Sequence, residues 1–142
     1  MGKSEIRARI PHSGNMCLLD QVLSWDDGRI CCLASSHRDE HNPLRRDGRL
    51  RAVCGVEYAA QAMALHGRLT SGSGAPPRRG YLASLREVSC LVAYLDEVAS
   101  DLLVEAEQLL AEGSRVIYGF VVRGDGHELL SGRAAVVLEG WA

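Results

Sequence analysis

The stretch Ala52-Val53-Cys54-Gly55-Val56-Glu57-Tyr58-Ala59-Ala60-Gln61-Ala62-Met63-Ala64-Leu65-His66 decides the fold. It is rich in alanine and long enough to be the one central helix of a small domain. Alanine favours helix and carries little bulk, so neighbouring backbone can approach closely, as it must where a curved sheet wraps a helix. A single carboxylate, Glu57, stands among these apolar residues. Burying an unpaired charge is costly, so a buried glutamate is normally protonated, hydrogen-bonded or used in chemistry. Apolar flanks imply burial and make Glu57 a candidate acid or base. Against this stands the reading of a first-turn carboxylate at the positive end of the helix dipole. On these residues alone the two are level.

Working outward, Met16 to Trp25 is an apolar run ended by Asp26-Asp27-Gly28, a turn signal that leads into Arg29 to Ser36. The pair reads as a hairpin. A polar stretch from His37 to Arg51 delays the helix, which is expected to stop at Gly67 ahead of the flexible connector Thr70-Ser71-Gly72-Ser73-Gly74-Ala75-Pro76-Pro77. Beyond it Gly80 to Leu91, Leu102 to Leu110, Arg115 to Arg123 and Leu129 to Leu138 read as strands, with turns at Glu112-Gly113 and Gly124-Asp125-Gly126. Leu102 to Leu110 has the composition of a helix, but the turn spacing favours a strand. One long helix against an antiparallel sheet of five to six strands is an α+β architecture.

With 142 residues, a net charge of -2, 46% apolar and 24% charged residues, the chain is expected to be one soluble domain over its whole length. That charge excludes a global basic field of the kind that binds nucleic acid regardless of sequence. The opening Met1-Gly2-Lys3-Ser4-Glu5-Ile6-Arg7 lacks the apolar core of a signal peptide, and no run of about eighteen apolar residues could span a bilayer. A cytoplasmic protein, off the membrane, is expected. Cys17, Cys31, Cys32, Cys54 and Cys90 form no CxxC pair and no metal-like spacing with histidine, so no metal is expected. Cys54 at the helix start is a conceivable nucleophile, but no base stands beside it.

Pro11-His12-Ser13-Gly14-Asn15-Met16-Cys17-Leu18-Leu19-Asp20-Gln21-Val22 resembles, without a gap, the P-H-x-x-x-x-x-L-x-D-x-V opening of the beta-hydroxyacyl-acyl-carrier-protein dehydratases of the hotdog fold. Glu57-Tyr58-Ala59-Ala60-Gln61 is similar to their E-A-x-A-Q helix motif, and Gly80-Tyr81-Leu82-Ala83 to the strand that follows. The resemblance runs from about Ile10 to the last strand. It implies a hotdog domain and a 3-hydroxyacyl-[acyl-carrier-protein] dehydratase of fatty acid or polyene synthesis, a lyase of lipid metabolism. The family histidine lies in G-H-F-P-G, and His41-Asn42-Pro43-Leu44 is the nearest match, without either glycine and two residues farther from Glu57 than the pattern expects. His37, at a strand end and so better fixed, is the rival base. Arg51-Ala52 stands where the family has Pro-Gly. The pattern is closest to the divergent dehydratase-like proteins of aryl-polyene lipid synthesis, some of which are partners of a fully active subunit.

Dehydrating a 3-hydroxyacyl thioester needs a base for the C2 proton, an acid for the departing C3 hydroxyl, and donors for the thioester oxygen. The resemblance implies a histidine base, Glu57 as acid delivered from the other subunit of a homodimer or heterodimer, and no cofactor beyond the phosphopantetheine that carries the substrate. Backbone N–H groups near Ala52 and Val53 are candidates for the thioester oxygen. Gln61, one turn on, is read as bonding the Glu57 carboxyl, the alternative being a filled polar gap. His12 is read as seating the amino-terminal turn, and His66 and His127 as helix-end and turn residues. Arg45, Arg46, Arg49 and Arg51, with Arg78 and Arg79, form basic clusters that either dock an acidic acyl carrier protein or simply line a solvated surface. Two alternatives stay open: a hotdog acyl thioesterase, and a non-catalytic partner that completes a dehydratase heterodimer.

Overall fold

Asp26 makes the first turn because its side chain stands in for a backbone acceptor. Oδ1 takes the N–H groups of Gly28 and Arg29 at 2.8 and 3.0 Å, an Asx-type turn. In this computed structural model, which describes residues 1–9, 16–71 and 80–138, the turn joins β1 (Gln21–Trp25) to β2 (Arg29–Ala34) in antiparallel pairing. The apolar run is a strand only from Gln21. Cys17, Leu18 and Leu19 are buried, but the Leu18 N–H and the Met16 carbonyl are bonded by the Gln61 side chain rather than by a neighbouring strand. A short helix, α1 (Lys3–Arg7), precedes them and buries Ile6.

The central helix, α2 (Gly55–Thr70), follows a 3₁₀ turn over Ala52–Cys54. It passes the expected stop at Gly67 because the terminal carbonyls already have partners: Thr70 Oγ1 donates to the His66 carbonyl at 2.9 Å and Ser71 N–H to that of Gly67 at 3.2 Å. The remaining strands are β3 (Gly80–Cys90), β4 (Leu102–Glu112), β5 (Arg115–Gly124) and β6 (His127–Leu138). Together they form an antiparallel six-stranded sheet in the order β1-β2-β4-β5-β6-β3. β4 is a strand despite its leucines, glutamates and alanines, since it is laddered to β2 on one side and β5 on the other. Its turn to β5 uses Gly113 at φ 61°, and that from β5 to β6 uses Asp125 and Gly126 at φ 52° and 78°, the left-handed pair a tight hairpin requires.

α2 lies on β2, β4 and β5, and Tyr58, Ala59, Ala62 and Leu65 share one core with Ile30, Cys32, Val104 and Val122. β3, at the far edge, is not among its neighbours. By register Leu82 and Leu85 stand beside Val136 and Ala134 on the face that α2 lines, yet they are 44% and 41% exposed. Among the described residues no helix is long and apolar enough to cross a membrane.

Asp20 ties the start of this framework together. Lys3 Nζ reaches Oδ1 at 3.0 Å, and Ser35 donates both its N–H and its hydroxyl to Oδ2 at 2.6 Å. Burial works against the charge, but the bonds from Ser35 and Lys3 outweigh it and hold the carboxyl below its ordinary 3.8. A depressed folded value adds stability at pH above the unfolded value and loses it as pH falls through the folded one. Asp20→Asn should therefore be less stable than the parent near pH 7, with the gap narrowing below about pH 4. Urea melts at several pH values would show it, and a gap independent of pH would refute the assignment.

Candidate active site

The segment between β2 and α2 carries both candidate histidines, and the structure treats them differently. His37 sits in a 3₁₀ turn (Ser36–Arg38) and is fully buried. Its Nε2 lies 3.1 Å from the Val98 carbonyl. A carbonyl only accepts, so Nε2 carries the hydrogen and Nδ1 keeps a bare lone pair, buried without a partner among the described residues. Burial pushes the His37 pKa down, against the bond to Val98, so the neutral ring is favoured. The His41 side chain, in contrast, is 79% exposed, with Nε2 3.5 Å from Glu40 Oε1. Its backbone N–H donates to Asp39 Oδ1 at 2.8 Å, which fixes the loop but leaves the ring accessible.

Glu57 lies in the first turn of α2 and is exposed in the single chain, so of its two level readings the first-turn position holds and burial does not within one protomer. The apolar content of the helix serves two faces. One packs on the sheet. The other carries Val53, Glu57, Ala60, Ala64 and Gly67 at alternating spacings of four and three, and none of these is buried. Gln61 is not the partner of Glu57 either. It is fully buried on the opposite face, where Oε1 accepts the Leu18 N–H at 2.9 Å and Nε2 donates to the Met16 carbonyl.

At the start of α2, the Ala52 N–H is already donated to the Ala93 carbonyl at 2.9 Å, which removes it as a donor to substrate. Val53 is 55% exposed, and no backbone partner for its N–H exists among the described residues. Burial pushes the Cys54 thiol up, against the lowering expected from a helix dipole, and leaves it a poor nucleophile. All five cysteines are free.

Much of the arginine cluster is used internally. Arg45 donates to the carbonyls of Asp39, Gly48 and His37 at 2.9, 2.7 and 3.1 Å, and Arg46 to those of Pro43 and Arg45 at 3.2 and 2.9 Å. Both thus shape the histidine loop, a role the sequence reading missed. Arg49 pairs with Asp96 at 2.9 Å and lies over the Tyr94 ring. His66, near the end of α2 as read, is also a buried bridge, with Nδ1 2.7 Å from Tyr118 Oη and Nε2 2.9 Å from the Asp26 carbonyl. His12, Arg78, Arg79 and most of the connector before β3 lie outside the described residues.

Sequence reasoning also passed over Tyr58, the neighbour of Glu57. It is fully buried, and burial pushes its phenol up to about 12. A tyrosine amid alanines signals such a site, since a buried phenol needs a hydrogen-bond partner.

One long helix wrapped by an antiparallel six-stranded sheet defines a hotdog protein. The chain belongs to the ApeP-like family, ApeP dehydratase, whose model matches residues 4–139. Among solved structures it is similar to the dehydratase heterocomplex ApeI:P from Xenorhabdus doucetiae, with a TM-score of 0.83 and 24% identity over 95% of this chain and 91% of that one. It is also similar to a mutant thioesterase from Pseudomonas aeruginosa, with a TM-score of 0.67 and 14% identity over 97% and 94%. A hypothetical thioesterase from Streptococcus pneumoniae, solved with coenzyme A, gives 0.62 and 13% over 85% and 86%. No curated protein matches the sequence.

Proposed function

We propose that the chain eliminates water from a 3-hydroxyacyl thioester carried on the phosphopantetheine arm of an acyl carrier protein, at a site shared with a second hotdog subunit in the cytoplasm. The observation that carries this reading is the position of Glu57, exposed in the middle of a face that one protomer leaves uncovered. Small residues at Ala60, Ala64 and Gly67 let a second helix approach closely, and the bare Leu82 and Leu85 at the far edge of the sheet supply further apolar area to bury. A second subunit would enclose Glu57 and bring it to a partner's histidine loop.

In the elimination, His41 takes the C2 proton, and the electron pair forms the C2–C3 double bond as the C3–O bond breaks. Glu57 gives its proton to the departing hydroxyl, which leaves as water. The Val53 N–H faces the thioester oxygen while enolate character develops. His41 is favoured over His37 because a base must touch its substrate, and only His41 is accessible. The half-buried Arg45 and exposed Arg46 would meet an acidic carrier. No cofactor is needed for these steps.

The dehydratase heterocomplex among the similar structures favours a second, different hotdog chain as the other half, and the thioesterases favour thioester chemistry of another kind. Mass spectrometry of a 3-hydroxyacyl carrier protein, incubated with this chain alone and then with such a second subunit, separates the outcomes. Loss of water with the chain present, abolished in Glu57→Gln, is the expected result. Release of the free acid would make it a thioesterase. Activity unaffected by Glu57→Gln in the mixed assembly would make it a non-catalytic partner.

A further inference from the structure

Tyr58 Oη lies 2.7 Å from Ser36 Oγ and 3.1 Å from Asn42 Nδ2. Those two residues are the immediate neighbours of the candidate histidines: Ser36 precedes His37 and Asn42 follows His41. One phenol, on the residue next to Glu57, therefore holds both ends of the segment that bears them.

The directions of these bonds follow from counting protons. Ser36 Oγ is also 2.8 Å from the Leu18 carbonyl, which can only accept, so the single Ser36 hydroxyl proton is spent there. Tyr58 must then donate to Ser36, and Asn42 Nδ2 donates to Tyr58. The chain runs in one direction: Asn42 amide, Tyr58 hydroxyl, Ser36 hydroxyl, Leu18 carbonyl. Asn42 is fixed further by donating to the Ser36 carbonyl at 2.9 Å and accepting the Leu44 N–H at 2.9 Å. Each member has a partner, and the ring of Tyr58 is enclosed in the core. A fully satisfied buried network of this kind admits one arrangement of the loop.

We propose that Tyr58 is a positioning residue of the dehydratase, pinning the histidine segment to the start of its own α2 so that each protomer holds its base in one place for the acid of the other subunit. The proposal rests on the reading of Glu57 and the histidine loop given above. It needs no contact between Tyr58 and substrate.

Tyr58→Phe removes the hydroxyl and keeps the ring. Ser36 still bonds Leu18 and Asn42 still bonds the Ser36 carbonyl, so the loop persists but loses its tie to α2. Misplacing a reacting group by about 1 Å can cost on the order of a hundredfold, so kcat should fall by about ten- to a hundredfold with KM changed less than about threefold. Tyr118→Phe is the control, another buried phenol that loses one bond, to His66, away from this loop. It should lower thermal stability comparably and leave kcat near that of the parent. Ser36→Ala, which breaks the same chain at its next link, should follow Tyr58→Phe. In parallel, amide hydrogen exchange over residues 36–42 should quicken in Tyr58→Phe and not in Tyr118→Phe. Equal kcat losses in the two phenylalanine variants, or unchanged exchange over 36–42, would overturn the proposal. The exchange measurement needs no substrate, so an assembly inactive even as wild type would refute the proposed reaction while still reporting on the tie.

Discussion

Replacing Glu57 by Gln should lower the rate of water elimination by roughly a hundredfold or more while leaving the thermal melt of the chain where it was. The two halves of that expectation come from different observations. The amide is nearly isosteric with the carboxyl but cannot act as the general acid, so the step that protonates the leaving hydroxyl loses its proton source. Stability is spared because Glu57 is exposed on the open face of α2 and no intrachain bond to its carboxylate exists among the described residues. A Glu57→Gln assembly with full turnover would remove Glu57 from the chemistry, and a large fall in melting temperature would show that the carboxylate serves the fold instead.

The histidines should separate just as clearly. His41→Ala is expected to reduce the rate by about a hundred- to ten-thousandfold, the usual worth of a general base, with stability changed by less than about 0.5 kcal/mol as for other exposed sites. His37→Ala is expected to do the opposite first. It removes a fully buried ring and its bond to Val98, and should cost about 1–3 kcal/mol of stability. Kinetics at a temperature where both variants are folded, together with denaturant melts, make the comparison. A dominant rate loss at His37 with an intact fold would transfer the base to its bare Nδ1. If the site is shared between two copies of this chain, mixing excess Glu57→Gln with excess His41→Ala protein should restore part of the activity, because some homodimers then contain one intact pair.

The fold was largely legible because its signals are local. The Asp26-Asp27-Gly28 turn, the alanine helix and the glycine turns at Gly113 and Gly126 each impose geometry through their own backbone or side chain. Even Leu102 to Leu110, helical by composition, was placed by the spacing of the turns around it. The candidate site was less legible because its character depends on what covers each face. Nothing in the apolar count of residues 52–66 tells whether a face is covered by the chain's own sheet or left open, so the buried and first-turn readings of Glu57 stayed level although it lies on the open stripe. Gln61, four residues later, rotates onto the packed face and meets the 16–18 segment instead. Ala52 loses its donor role to Ala93, a residue about forty positions away, and no local pattern carries that information. Tyr58 was the readable clue that went unused, since a phenol in an alanine helix calls for polar company in the core.

The far edge of the sheet has a consequence for how the protein lives before it works. Among the described residues β3 is the last strand of the sheet on its side, with Leu82, Leu85 and Val88 showing on a surface that α2 does not cover. Such an edge recruits any strand that comes near, including identical ones in the wrong register. On the shared-site reading proposed above, a newly made chain is in a race between finding its other half and sticking to its siblings. Its yield as soluble protein would then depend on the timing and stoichiometry of synthesis as much as on the strength of its core.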